Sequence, residues 1–206
     1  MAARTPGFSK TSLIKFLDEL GSSAPSPGGG AAAALTGAQG VALIEMVARL
    51  NDARFRKKEP KADPSAAKQR IGDLKKAKLR FLELIQEDVA AFQAISAAYK
   101  KGKENPAYQK ALVKGYSAPL EMAELAVQAM QRGLEEKDRT SQWLYSDLAE
   151  AGILLDATYA AARLNVEINL KDLADRNASN RAAARLIELA SRSSNLKNQL
   201  RAGGIS

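Results

Sequence analysis

Between Pro64 and Pro106 no proline interrupts the chain, and the apolar positions inside that span recur at one-turn helical spacing. Ile71, Leu74, Phe81, Leu82, Ile85, Val89, Phe92 and Ile95, with Lys78 among them, mark one largely apolar face. Asp63-Pro64 supplies the start signal, Asp63 as N-cap and Pro64 at the first helical position. A helix from there to about Lys101 would approach about 55 Å in length. A helix of that kind needs a bundle or a partner subunit to cover it, because its stability comes from packing rather than propensity.

The remaining pattern fits the same solution. Residues 12–20 form a short amphipathic helix with Leu13, Phe16, Leu17 and Leu20 on one stripe, stopped by Gly21. The SSAPSPGGG stretch is a turn leading to a second helix over about 31–50, and the basic residues 51–62 read as a loop or frayed end. Asn105-Pro106 starts another helix through Leu112, Leu120, Leu125, Val127 and Met130, which Pro119 should kink or divide. After a polar link at 133–140, helices are expected over about 146–173, packed through Leu148, Leu155, Tyr159 and Val166, and over about 181–200. Few stretches alternate with period two. The expectation is a single all-α domain over 1–206, an up-and-down bundle of long helices that pairs as a homodimer.

Composition narrows the chemistry more than the fold. The chain is 46% hydrophobic but 5% aromatic, so Ala and Leu must build the core. It has no Cys and no His. That removes disulfides, Cys or His metal ligation, Ser-His-Asp and Cys-His triads and imidazole acid–base catalysis, leaving carboxylates, amines, guanidinium groups, hydroxyls, amides and the backbone. No metal is expected. The N-terminal MAARTPGFSKTSLIKF lacks a signal-peptide core, and the apolar run 31–44 is too short for a bilayer and is broken by Gln39 and Glu45. A soluble, cytoplasmic protein with no membrane partner is expected.

The formal net charge is +8, and the segment 54–80 carries that whole excess. An anionic ligand near this segment is one reading and a solvated basic face the other. Nucleic acid is disfavoured: no RNP-like aromatic sequence, zinc finger or strand-embedded GXXG accompanies the charge.

Six elements occur in order: FLDELGSSAPSPGGGAAAA, LNDARFRKK, EDVAAFQAI, APLEMAE, YSDLAEAG and AARLNVEINLKDL. From Ser12 through Leu200 this order resembles the cyclodeaminase/cyclohydrolase family. The resemblance implies an all-helical dimer acting on the single carbon between N5 and N10 of tetrahydrofolate, with a folate as substrate and no other cofactor.

By themselves, Gly28, Gly29 and Gly30 expose backbone amides near a helix start, suited to a carboxylate or a ring edge, or simply form a tight helix entry; no GK[ST] follows, so this is not a Walker A loop. The resemblance implies substrate contact there. It likewise implies that Asn51, Arg54, Lys57 and Lys58 hold the folate's glutamate tail, Arg by two-point and Lys by point-charge contact.

Asp88 reads as solvated on sequence alone. The family's DxxxF arrangement implies instead a carboxylate, one turn from Phe92, beside a pterin. Ser146-Asp147 matches the family's SD pair, and Asn165 and Asn169, four residues apart and on one helix face, match its N-x-x-x-N pattern. Their amides suit a pterin edge because they both donate and accept. Asp147 precedes Asn165 by five turns, about 27 Å. One small site cannot use both ends of such a helix, whereas an antiparallel dimer can bring them together. A departure is DRTSQWLYSD, where the family has a Gly-Asn stretch. Trp143 and Tyr145 then either fill space or stack on substrate.

The implied reaction is hydrolysis of 5,10-methenyltetrahydrofolate to 10-formyltetrahydrofolate, with Asp88 as general base and Asp147 as a second proton handler. Cyclodeamination of 5-formiminotetrahydrofolate with release of ammonia is the alternative, disfavoured where no formiminotransferase stretch is attached. An inactive folate-binding or adaptor protein is the third.

Overall fold

The computed structural model describes residues 11–202, so the first ten residues of the stretch read for a signal peptide lie outside it. The order is α1 (Leu13–Leu20), α2 (Gly29–Lys58), α3 (Ser65–Tyr99), α4 (Pro106–Lys137), a 3₁₀ turn (Gln142–Leu144), α5 (Tyr145–Leu170) and α6 (Arg176–Arg201). Among the described residues there is no strand. α2, α3, α4 and α5 pack each against the next and α5 back against α2, forming a closed ring of four, and α6 packs against both α4 and α5. This is the all-helical bundle that the proline-free span required.

The caps behave as short polar side chains do. The Ser12 hydroxyl accepts from Lys15 N–H at 3.3 Å, Asn105 Oδ1 from Ala107 N–H at 2.9 Å, and Asp175 Oδ1 from Ala178 N–H at 2.9 Å. At α3 the register is shifted: Asp63 accepts from Ser65 N–H at 2.9 Å while Pro64 takes the cap position, one residue before the expected place.

Ring closure depends on close helix approach. A Cβ on Gly37 would stand 2.5 Å from the Phe81 ring, and one on Gly40 would stand 2.7 Å from Leu155. The missing side chains on α2 are the sockets for a fully buried Phe81 from α3 and Leu155 from α5. Over an 18-residue window α2 is apolar enough to cross a bilayer, beyond the shorter run read from sequence, but 61% of that window is buried inside the bundle.

Three elements depart from expectation. α2 does not end near Leu50 but continues to Lys58, its last turn carrying Arg56, Lys57 and Lys58, where cations complement the negative end of the helix dipole. α4 is one helix despite Pro119, and it runs on through Gly133, against which Ile44 packs so closely that a Cβ would stand 3.0 Å from it. α1 buries Phe16, but Leu13, Ile14 and Leu17 on the same short helix remain exposed.

Lys78, grouped with the apolar face of α3, instead reaches across to the buried Glu45 of α2 at 2.5 Å, and Arg49 joins it at 2.6 Å. Burial alone would raise the Glu45 carboxyl, but hydrogen bonds from Lys78 and Arg49 hold it below the ordinary carboxylate range. More of the basic segment is used this way: Arg70 binds Glu136, Arg56 binds Asp52, and Arg80 binds Glu83, Glu87 and Glu121. Much of the charge concentrated between 54 and 80 is therefore internal glue, and the cations left over lie mainly toward the α2–α3 junction.

Candidate functional site

The N-terminus of α2 has no side-chain cap of its own; its N-cap is Gly28. The Ser26–Pro27 peptide just before it is cis. The cap comes from another helix. Asp88, in the middle of α3, turns its carboxylate onto this helix end and accepts a hydrogen bond from Ala31 N–H. Gly30 is what lets it in, because a Cβ there would stand 2.0 Å from Asp88 Oδ1. Burial pushes the Asp88 carboxyl above its ordinary value, and the Ala31 hydrogen bond offsets only part of that. Asp88 is therefore a desolvated carboxylate and not the solvated one that its exposed neighbour Glu87 suggests.

Beside it stands the amide pair of α5. A Cβ on Gly29 would lie 3.9 Å from Asn165 Nδ2. Asn165 donates Nδ2 to Ala161 O at 2.9 Å, and Asn169 donates Nδ2 to Asn165 O at 2.8 Å and to Gly115 O at 3.0 Å. Both N–H groups of Asn169 are thus committed to backbone carbonyls. The expectation that the pair both donates and accepts narrows accordingly: Asn169 keeps only its Oδ1 for a ligand.

Pro119 explains why Gly115 O is free to accept. In an unbroken helix the carbonyl of residue 115 would take the N–H of residue 119, which proline lacks. Asn169 of α5 fills the vacancy, so Pro119 neither divides α4 nor leaves an orphaned carbonyl. Sequence reading located the proline but not this consequence, and the signal was a Gly four residues before a Pro in a helix facing the Asn pair. Pro119→Ala is expected to restore the α4 bond and loosen Asn169. Thermal stability should be retained or raised while substrate KM rises severalfold, which melting curves and steady-state kinetics on one preparation would show.

Phe92, one turn beyond Asp88, is 39% exposed and leaves an aromatic face at this end of the bundle. Gly28, Gly29, Gly30, Asp88, Phe92, Asn165 and Asn169 thus gather around one end. Of the three glycines, Gly30 lies against Asp88 and Gly29 faces Asn165.

The other expected residues lie at the opposite end. α2 and α5 are antiparallel, since Gly29 meets Asn165 while Gly40 meets Ala151 and Leu155. Ser146 and the half-buried Asp147, in the first turn of α5, are accordingly level with the far half of α2. Ser146 lines a shallow groove with Glu150, Ile153, Asn198 and Arg201. Trp143 is 90% exposed, so it does not fill space within the chain. Asn51 is buried and donates to Glu136 Oε2 at 3.1 Å and Thr140 Oγ1 at 3.0 Å. Arg54 donates to the Arg139 carbonyl at 2.7 Å. Asn51, Arg54 and Lys58 line a groove of about 530 Å³ at the α2–α3 junction; Lys57 does not. From Gly30 to Asn51 the α2 axis covers about 32 Å. Within one chain the two groups of residues therefore lie at opposite ends of α2.

Among the described residues no three His, Cys, Asp or Glu side chains come together as a metal site. The fold and the Asp88 end together define a class: an all-helical protein with a desolvated carboxylate beside paired amides. The family model of formiminotransferase-cyclodeaminase matches residues 12–188, and the chain belongs to this family of folate-processing enzymes. It is 32% identical over 169 residues to a methenyltetrahydrofolate cyclohydrolase of Methylorubrum extorquens, covering 78% of this chain and 80% of that protein. To the formimidoyltransferase-cyclodeaminase of Mus musculus it is 31% identical over 173 residues, 80% of this chain but only 31% of that longer protein. The crystal structure of a formiminotetrahydrofolate cyclodeaminase from Thermotoga maritima superposes with a TM-score of 0.84 at 27% identity, covering 94% of this chain and 95% of that one.

Proposed function

We propose that this protein hydrolyses 5,10-methenyltetrahydrofolate to 10-formyltetrahydrofolate. The observation that carries the reading is Asp88, a carboxylate with a raised proton affinity held at a helix N-terminus beside Asn165 and Asn169. The substrate's bridging carbon is an amidinium and already electrophilic. Asp88 takes a proton from water as the oxygen bonds to that carbon, giving a tetrahedral adduct. The C–N5 bond then breaks, N5 leaves with a proton, and the formyl group stays on N10. Asn165 and Asn169 orient the pterin, with Asn169 Oδ1 accepting from a ring N–H or amino group, and Phe92 packs against the ring.

Asp147 enters as the second proton handler from a second copy of the chain. The exposed apolar residues Leu50 and Met46 of α2 and Ile153, Leu164 and Ile168 of α5 lie along two adjacent antiparallel helices. A second copy packed antiparallel on this face would bring the Asp147 end of one chain to the Asp88 end of the other. Light scattering should give a homodimer of twice 22.0 kDa. A stable monomer that turns over substrate at full rate would reject the shared site.

The likeness to the Thermotoga cyclodeaminase favours a second reading, in which N10 attacks the formimino carbon of 5-formiminotetrahydrofolate and ammonia leaves. A paired steady-state assay with both folates, each with a substrate-only control, separates the two. Turnover of the methenyl compound alone supports the hydrolase, turnover of the formimino compound supports the deaminase, and turnover of neither makes the chain a folate binder.

A further inference from the structure

Trp143 is the chain's only tryptophan and, among the described residues, its most exposed large apolar side chain. A loose loop does not explain this, because the turn that carries it is held on both sides. Before it, the buried Thr140 hydroxyl donates to Glu136 O at 2.7 Å and accepts from Asn51 Nδ2 at 3.0 Å. After it, Leu144 donates its N–H to Ser141 O at 2.9 Å and packs its side chain on the core. The turn then runs without a break into α5. The fold thus fixes an indole in water, where its large apolar faces gain nothing. Aromatic rings held out in this way are the side chains from which binding sites draw most of their energy.

Phe92 poses the matching question at the Asp88 end. It offers one partly exposed aromatic face at the end where Asn165 and Asn169 stand, so a flat ring resting on it would keep its other face in water. Trp143 of the same chain cannot cover that face, since α5 runs about 30 Å from Tyr145 to Asn165. Trp143 of a second copy can. In the antiparallel pairing that sets Asp147 of one chain level with Asn165 of the other, Trp143 falls level with Asn169, both offsets being four residues. The other exposed aromatic rings are engaged elsewhere: Tyr99 meets Tyr108 edge-on at 5.8 Å, and Phe55 lines the groove at the α2–α3 junction.

We infer that Trp143 of one copy stacks on the pterin bound at the Asp88 end of the other, on the face opposite Phe92. The inference rests on the shared-site reading above and adds to it a binding residue that selects for charge. The methenyl substrate carries a delocalised cation at its bridging carbon, whereas the formyl product is neutral. Indole attracts a cation more strongly than any other aromatic side chain, so the stack holds substrate more tightly than product.

The experiment is steady-state kinetics of Trp143→Leu and Trp143→Phe on the folate that the protein turns over. Trp143→Leu is expected to raise KM about tenfold without lowering kcat, and to change inhibition by the neutral product much less. Trp143→Phe should restore most of the lost affinity. Mixed dimers, formed by refolding Trp143→Leu and Asp88→Asn chains together, should regain a component with normal KM, because one of their two sites has both native residues. An unchanged KM in folded Trp143→Leu, or mixed dimers that turn over only with the raised KM, would overturn the inference while leaving the Asp88 reading intact. If the protein turns over neither folate, the catalytic reading fails and the fluorescence of the single tryptophan decides the rest. Shielding of Trp143 from acrylamide by 5-formyltetrahydrofolate would then support the stack, and unchanged quenching would overturn it.

Discussion

Asp88→Asn is expected to lower kcat by roughly 10²–10⁴-fold on the folate that the protein turns over, with little change in substrate affinity. The substitution keeps the shape that fits against Gly30 and keeps an oxygen to accept from Ala31 N–H, but it removes the proton acceptor. In the unsubstituted protein the rate should rise with pH as Asp88 loses its proton, with a midpoint above the ordinary aspartate value of 3.8 because burial raises this group. That acidic limb should vanish in the variant. A folded Asp88→Asn protein with near-normal kcat would remove the residue from its role.

The same carboxylate has a stability signature of opposite sign. The folded state holds the Asp88 proton to higher pH than the unfolded chain does, so the stability this group contributes is complete below the unfolded value and is lost as pH rises through the raised folded value. Once ionised, the desolvated group weakens the fold. The Asn variant escapes that cost, so it should melt at or above the temperature of the unsubstituted protein at neutral pH, with the gap closing below pH 3.8. A variant that is slower and yet no less stable distinguishes a catalytic carboxylate from a structural one.

The second large effect is on folding. Phe81→Ala should cost about 3–5 kcal/mol, lowering Tm by roughly 10 °C. Phe81 is fully buried, and the surface it presses against is the bare backbone at Gly37. When the ring is removed, no side chain on the α2 side can move in, so the cavity stays open. Gly37→Ala should also destabilise alone, by about 1–3 kcal/mol, because its methyl meets the ring. Together the two should be less harmful than their sum, the mark of a shared contact. Chemical denaturation of the two single variants and the double variant measures the coupling, and strict additivity would show that the ring does not fill a Gly37 socket.

The bundle was legible because its signals are local: helix starts at Asp63-Pro64 and Asn105-Pro106, and an apolar stripe sustained without proline. What escaped was decided by tertiary partners. Residues 51–58 look like a loop because they are polar, yet Asn51 and Arg54 find acceptors at the end of α4 that no one-dimensional pattern displays. Lys78 sits among apolar neighbours because Glu45 awaits it on another helix. Asp88 could be singled out only through family resemblance, since its desolvation arises from contact with Gly30, far off in sequence. The two-ended placement of Asp147 and Asn165 followed from helix arithmetic and agrees with the antiparallel packing of α2 and α5.

Pro119 makes positions fifty residues apart a single unit of inheritance for anyone redesigning this protein. Transplanting Asn165 and Asn169 onto another helical scaffold would carry the amides without the vacant carbonyl that steadies one of them, and Asn169 would then swing free or seek a different acceptor. A faithful graft takes the interrupted stretch of α4 along with the pair. Consensus-style repair of α4, which would remove a proline from the middle of a long helix as an obvious flaw, would strengthen the scaffold and unfasten part of the site in the same step.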